Sequence, residues 1–109
     1  MNMKYILGLD GGGTKTTALI ADIKGNNMAE SESGSSNYKS IGVKSAKDNI
    51  NDAIISAIKN LGLRNKHKLI FKSACFGLSG NDSYEDKNIY HKIIFNNKIK
   101  DYLNPAKTV

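Results

Sequence analysis

The sequence predicts an α/β domain on a mixed sheet, in the order β-β-β-α-β-α-(β). Three observations lead there. Residues 4–33 hold two short apolar or β-branched runs and a third, more polar stretch, separated by turn residues. One long helical stripe follows. Then comes a nearly continuous apolar run, 69–77, of the kind a parallel strand shows.

The first strand is expected at Lys4–Leu9, the second at about Thr16–Asp22 and the third at about Met28–Ser33. Lys24-Gly25-Asn26-Asn27 is a turn, with Gly25-Asn26 suited to positive φ. The three strands read as an antiparallel meander, and Gly34-Ser35-Ser36-Asn37 as a loop. A helix starts near Ser45, where Ser45 and Asp48 form an approximate capping box. Ile50, Ala53, Ile54, Ala57, Ile58 and Leu61 make one apolar stripe at helical spacing, and Gly62 ends it. That face is core and carries no chemistry. The fourth strand, Leu69–Gly77, is expected to be buried on both faces, which makes Cys75 a small core residue. Ser83 and Asp86 can cap a second helix carrying Ile89, Tyr90, Ile93 and Ile94 and reaching toward Ile99, with Asn96-Asn97 weakening it. Pro105 marks a stop, and Lys107–Val109 can begin a fifth strand.

The 109 residues suffice for one domain with a modest core. Hydrophobic residues are 39% and charged residues 24%, ordinary values for a globular protein. No apolar run of about 18 residues is present, so no membrane span is expected. With no signal-like start, a cytoplasmic location is expected. The net charge of +6 is spread over scattered lysines, without a basic block or an aromatic–basic platform, so nucleic acid is not an expected partner. One cysteine excludes an internal disulfide.

The chemistry is concentrated in Asp10-Gly11-Gly12-Gly13-Thr14-Lys15-Thr16. Three glycines let a backbone turn tightly and bring its N–H groups close to an anion. Asp10 stands where an Mg²⁺-bound water could be held. Thr14 and Thr16 offer hydroxyls, and Lys15 either contacts phosphate or points to solvent. The P-loop pattern fails because Thr14, not glycine, precedes Lys15, and the dinucleotide pattern fails at Thr16. Both also need a helix after the loop, whereas residues 16–21 read as a strand. The loop is therefore a hairpin suited to a nucleotide phosphate.

This segment resembles the first phosphate motif of the actin-like ATPase superfamily, and within it the BadF/BadG/BcrA/BcrD group that contains the N-acetylglucosamine kinases. Ser35-Ser36-Asn37-Tyr38 followed by Ile41-Gly42 resembles the segment where those kinases place an asparagine on the sugar. Phe76-Gly77-Leu78-Ser79-Gly80-Asn81-Asp82 resembles their G-L-S-G turn. The resemblance runs along the whole chain. It implies a ribonuclease H-like N-terminal lobe, residues 1–109, of a two-lobe kinase that uses ATP and Mg²⁺ to phosphorylate N-acetylglucosamine or a related amino sugar. It also implies that Gly11, Gly12 and Gly13 cradle phosphates with Thr14, Lys15 and Thr16, that Asp10 orients hydrated Mg²⁺, and that Asn37, Ser79 and Gly80 line the sugar site. The general base is implied after the fifth strand, outside these residues, so the chain alone is expected not to turn over. Apolar surface left by a missing C-terminal lobe would promote self-association, a homodimer included.

Other readings stand beside these. Asn37 suits a sugar hydroxyl because an amide both donates and accepts, but it equally suits an Asx turn. Asp82 is a helix N-cap or a cleft carboxylate. His67 and His91 have no partner at ligand spacing and read as surface residues. The same fold could be the lobe of a dehydratase activase, although no cysteine cluster for an iron–sulfur centre is present here, or a non-catalytic sugar- or nucleotide-binding module.

Overall fold

A computed structural model describes residues 4–64 and 69–109. The fold is α/β with a mixed four-stranded sheet of order β3-β2-β1-β4, from β1 (Tyr5–Gly11), β2 (Lys15–Asp22), β3 (Asn27–Gly34) and β4 (Ser73–Leu78). β1 pairs antiparallel with β2 and parallel with β4, and β2 pairs antiparallel with β3. The expected meander and crossover are both present. A short helix α1 (Tyr38–Ile41), a long helix α2 (Val43–Leu61) and α3 (Tyr84–Ile94) complete the layer, followed by 3-10 turns at Lys100–Tyr102 and Pro105–Lys107. Thr108 forms a parallel bridge with Ala74, the start of the expected fifth strand. Among the described residues no helix is long and apolar enough to cross a membrane.

The register explains which face is covered. Leu7 stands opposite Ile20 and Ala74, and Leu9 opposite Ala18 and Phe76; all six side chains are buried. The helices lie on that face. The stripe Ile50, Ala53, Ile54, Ala57 and Ile58 packs onto it, and Tyr90, Ile93 and Ile94 of α3 extend the same core. The alternate residues face the other way. Leu19 is 39% exposed there, and Cys75 is exposed.

Four expectations need correction. β4 starts at Ser73, not Leu69, because residues 69–72 are held by other bonds: the Phe71 N–H donates to Tyr102 O and the Lys72 N–H to Tyr5 O. It is buried on one face only, so Cys75 is a surface thiol rather than a core residue. α2 starts at Val43, where Gly42 serves as N-cap without a side-chain bond. Ser45 and Asp48 therefore lie inside the helix, and Asp48 instead pairs with Lys44 at 3.0 Å. Finally, α3 stops at Ile94. Asn96 leaves the helix to form a reciprocal amide pair with Asn51, at 3.2 and 2.8 Å, and Ile99 reaches the core from outside any α-helix. Gly62 does end α2, with φ +71°. His67 lies outside the described residues.

Ile54 is fully buried between α2 and the sheet. Ile54→Ala is expected to lower the unfolding free energy by about 2–5 kcal/mol. Urea unfolding of the chain measures this. A loss under about 1 kcal/mol would mean that α2 does not pack as described.

Candidate functional site

β1 and β4 run parallel, so their C-terminal ends arrive together. Gly11 stands opposite Thr16 on one side and Leu78 on the other. The glycine hairpin closes with Gly12 N–H donating to Lys15 O at 2.8 Å. At its tip, the backbone N–H groups of Gly13 and Thr14 find no protein acceptor among the described residues. A Cβ at Gly13 would meet nothing within 4 Å. Gly11 is glycine for a different reason: a Cβ there would collide with Ser36 Oγ and lie 2.7 Å from Leu78 Cδ2. The loop is thus narrow at its base and open, with free donors, at its tip. Asp10 is exposed beside it, in register with Thr17 and Gly77.

Two further segments meet this end of the sheet. The Ser79 N–H donates to Gly11 O at 2.8 Å, which seats the turn after β4 against the hairpin base. Ser36 N–H and Ser35 Oγ approach Gly12 O at 3.3 and 3.2 Å, which seats the loop before α1 on the other side. Asn37 and Gly80 then touch. Gly80 has φ +80°, and a Cβ on it would sit 2.6 Å from Asn37 Oδ1, so glycine is required twice over at this junction. Asn37 is the N-cap of α1, and its Oδ1 accepts from the Lys39 N–H at 3.1 Å. The structure shows the Asx-type cap: the amide oxygen is used there, while Nδ2 has no protein acceptor among the described residues.

Most of the singled-out residues converge, but Thr16 does not. Its side chain is fully buried, and Oγ1 donates to Gly34 O at 2.8 Å, so its proton is used inside the sheet and is withheld from any phosphate. Thr14 is exposed at the tip. Lys15 is exposed and only loosely paired with Glu32 at 3.5 Å. Asp82 is not the N-cap: Ser83 holds that place in a complete capping box with Asp86, and Asp82 is an exposed carboxylate 3.4 Å from Lys39. His91 lies on the surface, its ring tilted against Phe95.

The sequence marked Asp86 and Tyr90 only as a cap and a core residue. Asp86 accepts a short hydrogen bond from Tyr38 Oη and an ion pair from Lys39 Nζ at 3.0 Å, and its carboxylate is 5% exposed. The bond from Tyr38 and then the one from Lys39 outweigh burial and hold its carboxyl well below the usual carboxylate range. The same bond, with burial, pushes the Tyr38 phenol up to about 12. Their signal in the sequence was faint: Asp86 and Tyr90 are four apart, hence on one helix face.

A mixed sheet of this order, with a glycine hairpin at the C-terminal end of its first strand, fits the ribonuclease H-like fold that the sequence resemblance implied. More narrowly, the chain belongs to the BadF/BadG/BcrA/BcrD ATPase family, which matches residues 7–108. The N-acetyl-D-glucosamine kinase of Dictyostelium discoideum is 37% identical over 91 residues, which cover 80% of this chain and 28% of that protein. The N-acetylmuramic acid/N-acetylglucosamine kinase of Clostridium acetobutylicum is 32% identical over 92 residues, covering 84% and 29%. A crystal structure of a candidate N-acetylglucosamine kinase from Chromobacterium violaceum shares the fold with a TM-score of 0.60 at 22% identity, over 84% of this chain and 30% of that one. The chain thus spans less than a third of the length of each.

The Asp86 network predicts an acid dependence. Its folded pKa lies below the ordinary value of about 3.9, so its stabilisation is fully present above that pH and is lost as pH falls through the folded value. Asp86→Asn is expected to be less stable at pH 7 and to lose stability less steeply between about pH 4 and pH 2. Urea midpoints across that range measure this, and parallel curves for the two proteins would remove Asp86 from the acid response.

Proposed function

We propose that these residues form the N-terminal lobe of an ATP-dependent kinase acting in the cytoplasm on N-acetylglucosamine or a related amino sugar. The observation that carries this reading is convergence at one end of the sheet. Exposed Asp10, the unpaired N–H groups of Gly13 and Thr14, and the Asn37–Gly80 junction all gather there. The names of both curated relatives favour a sugar kinase over an activase.

The residues fit a metal-bound nucleotide. The hairpin tip offers two N–H donors and open space to a phosphate. Among the described residues there is no group of three ligating side chains, so Mg²⁺ would be held chiefly by phosphate oxygens and water, with Asp10 orienting that water. When bound, Mg²⁺–ATP would supply the phosphoryl group and neutralise the charge that develops during its transfer. Gly13 and Thr14 N–H and the Thr14 hydroxyl would hold phosphate oxygens, and Lys15 would add positive charge. Gly11 and Gly12 keep the hairpin base close to Ser36 and Leu78. On the acceptor side, Asn37 Nδ2, the Ser79 hydroxyl and the Gly80 backbone would make a wall of neutral polar groups suited to sugar hydroxyls. The general base would come from beyond residue 109.

The test is steady-state kinetics of the two-lobe enzyme carrying these residues. Asp10→Asn should lower kcat by about a hundredfold or more, equivalent to about 2.7 kcal/mol, with the fold intact by circular dichroism. An unchanged turnover number would reduce Asp10 to a turn residue. Asn37→Ala should raise the KM for N-acetylglucosamine about tenfold and leave that for ATP within twofold. A shift in the ATP KM instead would overturn the assignment of the acceptor wall.

A further inference from the structure

The acceptor wall is held by more than strand pairing. Both of its halves are tied to α3 through one phenol. Tyr90 Oη lies 2.8 Å from Ser36 O and 2.9 Å from Ser79 O, and it accepts the Tyr38 N–H at 3.3 Å. The side chain is 2% exposed, and the Tyr38 ring meets it edge-on with centroids 5.2 Å apart. One phenolic proton serves two carbonyls, so Tyr90 responds to the separation of the two segments and not to either alone. Ser36 is fully buried and its Oγ has no partner, so backbone bonds are what hold it. One helical turn earlier, Asp86 takes Tyr38 Oη and Lys39 Nζ. Residues on both sides of Asn37 are therefore anchored to α3, while Asn37 Nδ2 stays free. The phosphate hairpin closes on itself through Gly12 and Lys15 and takes no bond from Tyr90 or Asp86.

We propose that Tyr90 is a positioning residue for the sugar acceptor, fixing the gap between the Asn37 loop and the Ser79–Gly80 turn, with the Tyr38–Asp86 bond as a second tie. This rests on the kinase reading above. The side of the site that is set this way is the one facing a hydroxyl-rich acceptor; the hairpin takes no bond from Tyr90 and is bonded to these segments only through the Ser79 N–H, Ser36 N–H and Ser35 Oγ at its base, while its tip closes through Gly12 and Lys15. An amino sugar is small and rigid, so a displaced wall is read directly as weaker acceptor binding.

The experiment is kinetics of the two-lobe enzyme with N-acetylglucosamine and ATP varied in turn, alongside thermal unfolding. Wild type, Asn37→Ala, Tyr90→Phe and Tyr38→Phe are compared. Tyr90→Phe keeps the ring and removes only the hydroxyl. It should raise the sugar KM about tenfold while the ATP KM stays within twofold, and Tyr38→Phe should shift the sugar KM in the same direction by about threefold. A lower melting temperature with both KM values unchanged would make Tyr90 merely structural and overturn the proposal. So would equal rises in both KM values. Should Tyr90→Phe fail to fold, Tyr38→Phe decides: an unchanged sugar KM overturns the proposal. If Asn37→Ala leaves the sugar KM unchanged, the acceptor wall itself is misassigned. If Asn37→Ala raises it and the tyrosine variants do not, only the positioning role falls.

Discussion

Everything at the candidate site depends on the pairing of β1, which is hydrogen-bonded along both edges. Antiparallel pairing with β2 forces the chain to reverse at Gly12–Thr14. Parallel pairing with β4 delivers residues 78–80 to the same end. Neither partner alone would bring the hairpin and the second turn together. The geometry is then locked by a missing atom: with no Cβ on Gly11, Ser36 and Leu78 can pack against the strand itself. A larger residue there would push apart the two walls that strand pairing has just assembled.

Much of this was legible in the sequence, because the signals were periodic or dense. The stripe from Ile50 to Leu61 and its glycine stop gave α2 and its buried face, and the glycine triplet gave the hairpin. The misreadings share a cause. Residues 69–77 looked like a doubly buried strand because apolar content does not say what covers each face, and here the helices cover one. Ser45 and Asp48 looked like a cap because the motif is short, whereas the preceding turn of helix and Gly42 set the start. Thr16 looked like a ligand donor because of its neighbours, yet strand alternation places it on the core side with Ala18 and Ile20. Tyr90 was legible as a core residue of the second helix but not as a tie between two segments. Its role comes from two carbonyls 11 and 54 residues away along the chain, a pairing that only the fold creates.

The polar interior around α3 contrasts with the rest of the core. Asp86 is a buried carboxylate, and burial alone would favour its neutral form. Four donors offset that: Tyr38 Oη, Lys39 Nζ and the backbone N–H groups of Asp82 and Ser83. Removing Asp86 alone would strand those donors; only a fully apolar replacement of the whole cluster could match it in stability. What the carboxylate adds is direction. Its bonds specify one arrangement of the α1 entry against the α3 entry, and apolar packing is much less particular about angle.

The uncovered face of the sheet gives the chain an unusual convenience. Cys75, the single thiol in the sequence, sits there on the strand next to β1, in register with Gly8 and within a groove of about 280 Å³ that Ile6, Leu19 and Val109 also line. A fluorophore or spin label attached to it would need no engineered cysteine. It would lie on the side of the sheet away from the helices, and its signal would report whatever comes to rest on that side.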